Sequence, residues 1–148
     1  MELYSHEYFM NEAMKQARTA FDDGEIPVGA IVVCRNTIIS RAYNQTEKLT
    51  DVTAHAEILA ITAASNYLGS KYLKECKLYV TLEPCIMCAG ATFWAQLGEL
   101  HFAAEDLHRG FSTLQAPVLH PKTKVFSGMM AQESNHLLQE FFKILRNK

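Results

Sequence analysis

Two short fragments of this chain carry residue types that bind metals and move protons. His55-Ala56-Glu57 lies at the opening of one predicted helix, and Pro84-Cys85-Ile86-Met87-Cys88 opens another. A helix start presents unpaired backbone N–H groups and a partial positive potential. That field favours the thiolate, which is the cysteine form that binds metal. Cys85 and Cys88 are three residues apart and so project to one side of a first turn. Together they can grip one ion at about 2.3 Å each. A carboxylate beside metal-activated water can take a proton and return it to a substrate, and Glu57 follows His55 by two residues.

The number of ligands separates a structural site from a catalytic one. Structural zinc takes four protein ligands, whereas catalytic zinc takes three and keeps a position for water. His55, Cys85 and Cys88 make three. Cys34, Cys76 and His101 could in principle supply a fourth, but each reads more simply as a strand or strand-end residue. A lone C-x-x-C also suits a thioredoxin-like redox pair. No other redox feature accompanies it here, and such a site has no need of an upstream His-x-Glu. Glu57 alone would read as an acid favoured by the helix dipole. Its place beside a candidate ligand makes it a candidate proton carrier instead.

The elements that must position these residues are legible from periodicity. Residues 5–22 form a helix that Ser5 can cap, with Phe9, Ala13, Ala17, Ala20 and Phe21 on its inner stripe. The near-continuous apolar run 28–34 suits a central strand, Arg35-Asn36 a turn, and 37–43 a second strand. Residues 44–53 are polar loop. A helix over 54–68 follows, with Thr53 as its cap, with Ile58, Leu59, Ile61, Ala64 and Leu68 inward, and with Gly69 at its end. Then come a strand at 77–82, a helix at 85–97 closed by Gly98, and a strand at 99–104. A long loop at 105–122, a short strand near 123–127 and a helix at 131–146 complete the order. Strand, helix and strand over 77–104 predict a parallel crossover, and the whole predicts an α/β layered domain with a mixed sheet.

Composition bounds the remainder. The 148 residues are 49% hydrophobic and 20% charged, as in a globular chain of one domain, here 1–148. A net charge of −2 gives no overall sign of a nucleic-acid binder, so any basic surface must be local. His108-Arg109, the segment 120–124, and Lys143, Arg146 and Lys148 are the local candidates. No apolar run nears the roughly 18 residues of a membrane span. Met1–Glu7 has no secretory-signal pattern, which predicts a cytoplasmic protein without disulfides.

His-x-Glu followed by Pro-Cys-x-x-Cys is the signature of the zinc-dependent base deaminases. On these residues the chain resembles the cytidine deaminase superfamily. Pro27-Val28-Gly29-Ala30 and the run Leu78 to Gly90 make it similar, more narrowly, to the bacterial tRNA adenosine deaminases. The resemblance implies a three-layer α/β/α cytidine-deaminase-like fold with a mixed five-stranded sheet. It implies one zinc ion per chain on His55, Cys85 and Cys88, with Glu57 as the catalytic proton carrier. It further implies that Asn44 and the backbone N–H of Ala56 hold the base, and that Asp106 and Phe142 contact substrate. The implied reaction is hydrolysis of adenosine to inosine at the wobble position of a tRNA anticodon loop, by a homodimer.

The chain departs from that pattern beyond residue 105. His108 stands where bacterial relatives carry lysine, and Thr113-Leu114 replaces a Gly-Ser pair. Two other functions therefore stand beside the first. One is a deaminase of free nucleobases or nucleosides, guanine or cytosine, on the same zinc site. The other is a non-enzymatic module stabilised by zinc, which would have no use for Glu57.

Overall fold

A computed structural model describes residues 4–148. The signal-peptide reading of Met1–Glu7 therefore falls partly outside the described residues. The first helix, α1 (His6–Asp22), begins where Ser5 Oγ accepts the Tyr8 N–H at 3.1 Å. Its inner stripe of Phe9, Ala13, Ala17 and Ala20 is buried, as the spacing predicts. Strands β1 (Gly29–Cys34) and β2 (Thr37–Tyr43) form an antiparallel hairpin. Arg35 and Asn36 turn it with φ of 52° and 65°. Two left-handed residues in a two-residue loop match the natural twist of the strands. Gly29 lies beneath α1, where a Cβ would collide with the Ala13 carbonyl oxygen.

The remaining elements are α2 (Ala56–Leu68), β3 (Cys76–Leu82), α3 (Ile86–Ala95), β4 (Glu99–Ala104), β5 (Lys124–Ser127) and α4 (Ala131–Arg146). The sheet order is β2-β1-β3-β4-β5. β1 runs antiparallel to both its neighbours, whereas β3, β4 and β5 run parallel. The sheet is thus mixed and five-stranded, and the predicted parallel pairing of β3 and β4 is present. Alternation along β1 sends Ala30 and Val32 into the core under α2 and α3, and Ile31 and Val33 into the core under α1. With α1 and α4 on one face and α2 and α3 on the other, the layers are α/β/α.

Three local expectations are corrected. Helix α2 starts at Ala56 with His55 as its cap, two residues later than predicted. Thr53 does not cap it, because its hydroxyl donates to Asp51 Oδ1 at 2.7 Å. Leu68 is exposed rather than inward. The inner face of α2 is instead built on Ala56, Ala60 and Ala64, small residues that let the helix lie close to the sheet. Helix α3 ends at a left-handed Gln96, not at Gly98. Gly98 serves a close approach: a Cβ there would collide with the Lys74 carbonyl oxygen. The loop at 105–122 contains one 3-10 turn, Phe111–Thr113.

Candidate metal centre and substrate cleft

Helices α2 and α3 begin side by side, and each contributes its cap residue to one cluster. His55 caps α2 and Cys85 caps α3, both with extended backbone and neither through a side-chain hydrogen bond. Their side chains are therefore free to face each other, and Cys88 joins them from the first turn of α3. His55 Nδ1 lies 3.7 Å from Cys85 Sγ and 3.5 Å from Cys88 Sγ. A tetrahedral zinc with ordinary bond lengths places nitrogen and sulfur about 3.6 Å apart. The donor set fits that ion in both chemistry and spacing. Among the described residues, these three are the group whose ligand atoms lie within 4.8 Å of one another.

The electrostatics suit the same ion. A hydrogen bond from the Cys88 thiol holds the Cys85 sulfur down at about 4, and His55 adds to the effect. The same bond, with burial, pushes the Cys88 thiol up. Without metal the two sulfurs thus share one proton. The Cys85 sulfur in turn raises His55.

Glu57 is buried on the first turn of α2, and burial pushes its carboxyl up to about 7. A carboxyl group that titrates near neutrality can both accept and donate a proton at working pH.

The cluster opens into a cleft of about 930 Å³. His55, Cys85, Glu57, Asn44, Ala56, Asp106 and Phe142 all line it. The site residues expected from sequence are thus brought together, Cys88 standing behind His55 and Cys85. Asn44 is buried at the end of β2; its amide donates to the Ile26 carbonyl at 3.3 Å. Asp106 Oδ1 accepts the N–H groups of His108 and Arg109, at 3.1 and 3.0 Å. Of the terminal aromatic pair, Phe141 packs edge-on against Phe21, while Phe142 faces the cleft. His108 and Arg109 line it also, but the other basic candidates do not.

The candidates for a fourth ligand lie elsewhere. Cys34 and Cys76 are opposite each other in the β1/β3 register, and their thiols are hydrogen-bonded. Burial pushes Cys76 up to about 12, so it stays a thiol. His101 bonds Glu99 Oε1 at 2.9 Å and stacks on Tyr79 and Phe126.

Beyond Phe142, sequence reasoning missed the wall that α4 supplies. Asn135, Leu138, Gln139 and Phe142 line the cleft along one helix face, at spacings of three, four and seven. That helical period was available as a signal. Glu83 also lines the cleft and was missed, since nothing in its type sets it apart from a strand-end acid.

Residues 3–104 match the cytidine and deoxycytidylate deaminase zinc-binding region. The chain belongs to this deaminase family. A tRNA-specific adenosine deaminase of Aquifex aeolicus (strain VF5) is 47% identical over 146 residues, covering 95% of this chain and 96% of that one. A solved structure from work on A-to-I editing by tRNA:A34 deaminases superposes with a TM-score of 0.83 and 40% identity. It covers 88% of this chain and 98% of that one. The guanine deaminase of Nitrosomonas europaea is more distant in sequence. It has a TM-score of 0.80 at 25% identity, covering 95% and 86%. Zinc is the deaminase family's metal, and the donor set described above fits it.

Proposed function

We propose that this deaminase hydrolyses adenosine to inosine at the wobble position of a tRNA anticodon loop. The observation that carries the reading is the juxtaposition of a His-Cys-Cys donor set with a buried Glu57 at one end of an open cleft. His55, Cys85 and Cys88 would hold one zinc ion. When bound, zinc supplies the acidification of water that makes a nucleophile available near neutral pH. Glu57 takes a proton from the attacking water and passes it to the ring nitrogen of adenine. It then serves the departing amino group, so that water and adenosine leave as inosine and ammonia. Asn44 and the Ala56 N–H orient the base. Ala56 is the first residue of α2, so its N–H has no acceptor within the helix.

The rim of the cleft suits a polynucleotide: His108 and Arg109 border it beside Leu107, where they can meet phosphates next to the reacting base. The high identity to a tRNA-specific enzyme over nearly the whole chain supports the same choice. A wobble base lies in a single-stranded loop, where unstacking is inexpensive.

We read residues 1–148 as a single deaminase domain, since the sheet that begins within the family match is completed by β5. We also infer a homodimer. Ile86 and Trp94 on α3 are 59% and 77% exposed, and Tyr67 on α2 is 69% exposed, which gives a second copy an apolar surface to cover. Among the described residues, no helix is long and apolar enough to cross a membrane. The tRNA substrate itself argues for the cytoplasm.

One experiment separates the two substrate classes. Inosine formation is measured in an anticodon stem-loop with a wobble adenosine, beside ammonia release from free adenosine, guanine and cytosine. Turnover of the stem-loop is expected. Efficient release from guanine or cytosine with the stem-loop untouched would replace this reading by the free-base one.

A further inference from the structure

The cleft has two loop walls, and each is tied down by one buried glutamate. Glu25 is 1% exposed and Glu83 2% exposed. Glu25 Oε1 accepts the Glu47 N–H at 3.0 Å, and its Oε2 accepts the Lys48 N–H at 2.7 Å. Glu83 Oε1 accepts the Asp106 N–H at 3.0 Å, and its Oε2 accepts the Ser112 N–H at 2.8 Å. Each carboxyl group therefore spends both oxygens on backbone amides of a loop. Buried acceptors used in this way fix backbone position, because leaving either amide unpaired is costly.

The two walls hold different groups. The first carries Asn44, whose amide bonds Ile26, the residue next to Glu25. The second carries Asp106, Leu107, His108 and Arg109 at the rim. It is fastened to the metal-binding segment as well. The Phe111 N–H donates to the Pro84 carbonyl at 2.9 Å, and Gly110 bridges Cys85. Gly110 itself is pressed onto the glutamate: a Cβ there would collide with Glu83 Cδ.

We propose that Glu25 and Glu83 are positioning residues that divide the work, Glu25 orienting the reacting base through the Asn44 wall and Glu83 shaping the rim that grips the flanking nucleotides. This rests on the tRNA-deaminase reading above. Base orientation is expressed in the transition state and so in kcat. Contacts to the flanking RNA act in ground and transition states alike and so appear in KM.

The test uses full-length, zinc-loaded protein and an anticodon stem-loop with a wobble adenosine. Glutamine keeps the shape of glutamate but turns one acceptor into an NH₂ donor that faces an N–H. Glu83→Gln is expected to raise KM about tenfold, with kcat within about threefold and full zinc content. Glu25→Gln is expected to lower kcat about tenfold, with KM within about threefold. Gly110→Ala displaces Glu83 without changing it and should reproduce the Glu83→Gln split. The double variant should be no worse than the more severe single one. Gly110→Ala also carries the test if Glu83→Gln does not fold. Amide hydrogen exchange reads the same walls without any substrate. Glu83→Gln should speed exchange at Asp106 and Ser112, and Glu25→Gln at Glu47 and Lys48. Equal losses of kcat in both variants, or exchange spreading over the whole chain, would overturn the division. A wild-type protein inactive on the stem-loop would instead overturn the substrate reading and with it the division between base and flanking nucleotides, while wall-specific exchange would still decide whether each glutamate positions its own loop.

Discussion

His55 Nδ1 stands 3.5 Å from Cys88 Sγ across 33 residues of sequence, and the fold delivers that distance by starting two helices at one place. The shared sulfur proton has a measurable consequence. Cys85, held at about 4, is already ionised at pH 7, whereas Cys88 is protonated. Zinc ionises its thiol ligands outright.

Zinc added to metal-free protein at pH 7 should therefore bind with a stoichiometry of one and release at least one proton. Calorimetry in two buffers of different ionisation enthalpy measures the number. Binding without proton release, or two ions per chain, would contradict the assignment. Cys88→Ala should weaken binding without abolishing that release, because Cys85 loses the hydrogen bond that holds it down and regains a proton for zinc to displace.

Glu57→Ala should keep the fold and the zinc while turnover falls by at least about 10²–10⁴-fold, the usual worth of general acid–base catalysis. Several proton transfers pass through this one group in the proposed reaction, so the upper end is expected. Metal content and stem-loop kinetics on the same sample check it. Near wild-type turnover would remove Glu57 from the mechanism.

The raised carboxyl of Glu57 predicts a pH effect on the stability of metal-free protein. Its ordinary value is 4.5 and burial lifts it to about 7, so the fold prefers the protonated form. The associated stability is full below 4.5 and is lost as pH rises through 7. Glu57→Gln cannot ionise and avoids that loss. Compared in chelator by denaturant unfolding at pH 5 and pH 8, the variant should gain on wild type by up to about 3 kcal/mol. A gap that stays constant, or reverses, would show that the carboxyl is not held in its neutral form.

Asn44→Ala should lower kcat about tenfold or more while RNA affinity changes less than about threefold, because this side chain would touch only the reacting base. Filter binding and single-turnover rates separate the two. A parallel loss of affinity would move Asn44 from orienting the base to gripping the RNA.

Much of the site was legible because its parts are local. His55 with Glu57 and Cys85 with Cys88 are each close pairs at a helix start, and the spacing alone puts each pair on one side. The strands were legible because apolar runs broken by Arg35-Asn36 and Gly98 leave little choice. Helix caps were less so. Thr53 has the chemistry of a cap, yet Asp51 lies two residues away and takes its hydroxyl. The buried face of α2 was misjudged at Leu68 because close packing against a sheet rewards alanine, which a search for large apolar residues passes over. The walls were hidden for a different reason. Glu25 and Glu83 act on backbone N–H groups 22 to 29 residues away, and a backbone partner leaves no mark in the sequence.

The α4 wall has a consequence for the order in which the protein is made. Every proposed metal ligand lies at or before residue 88, whereas the helix that lines the same cleft begins at residue 131. At typical rates of about 5–20 residues per second, roughly 2–9 s of synthesis separate the two. The nascent chain can thus acquire its ion through a side that the finished enzyme keeps for its substrate.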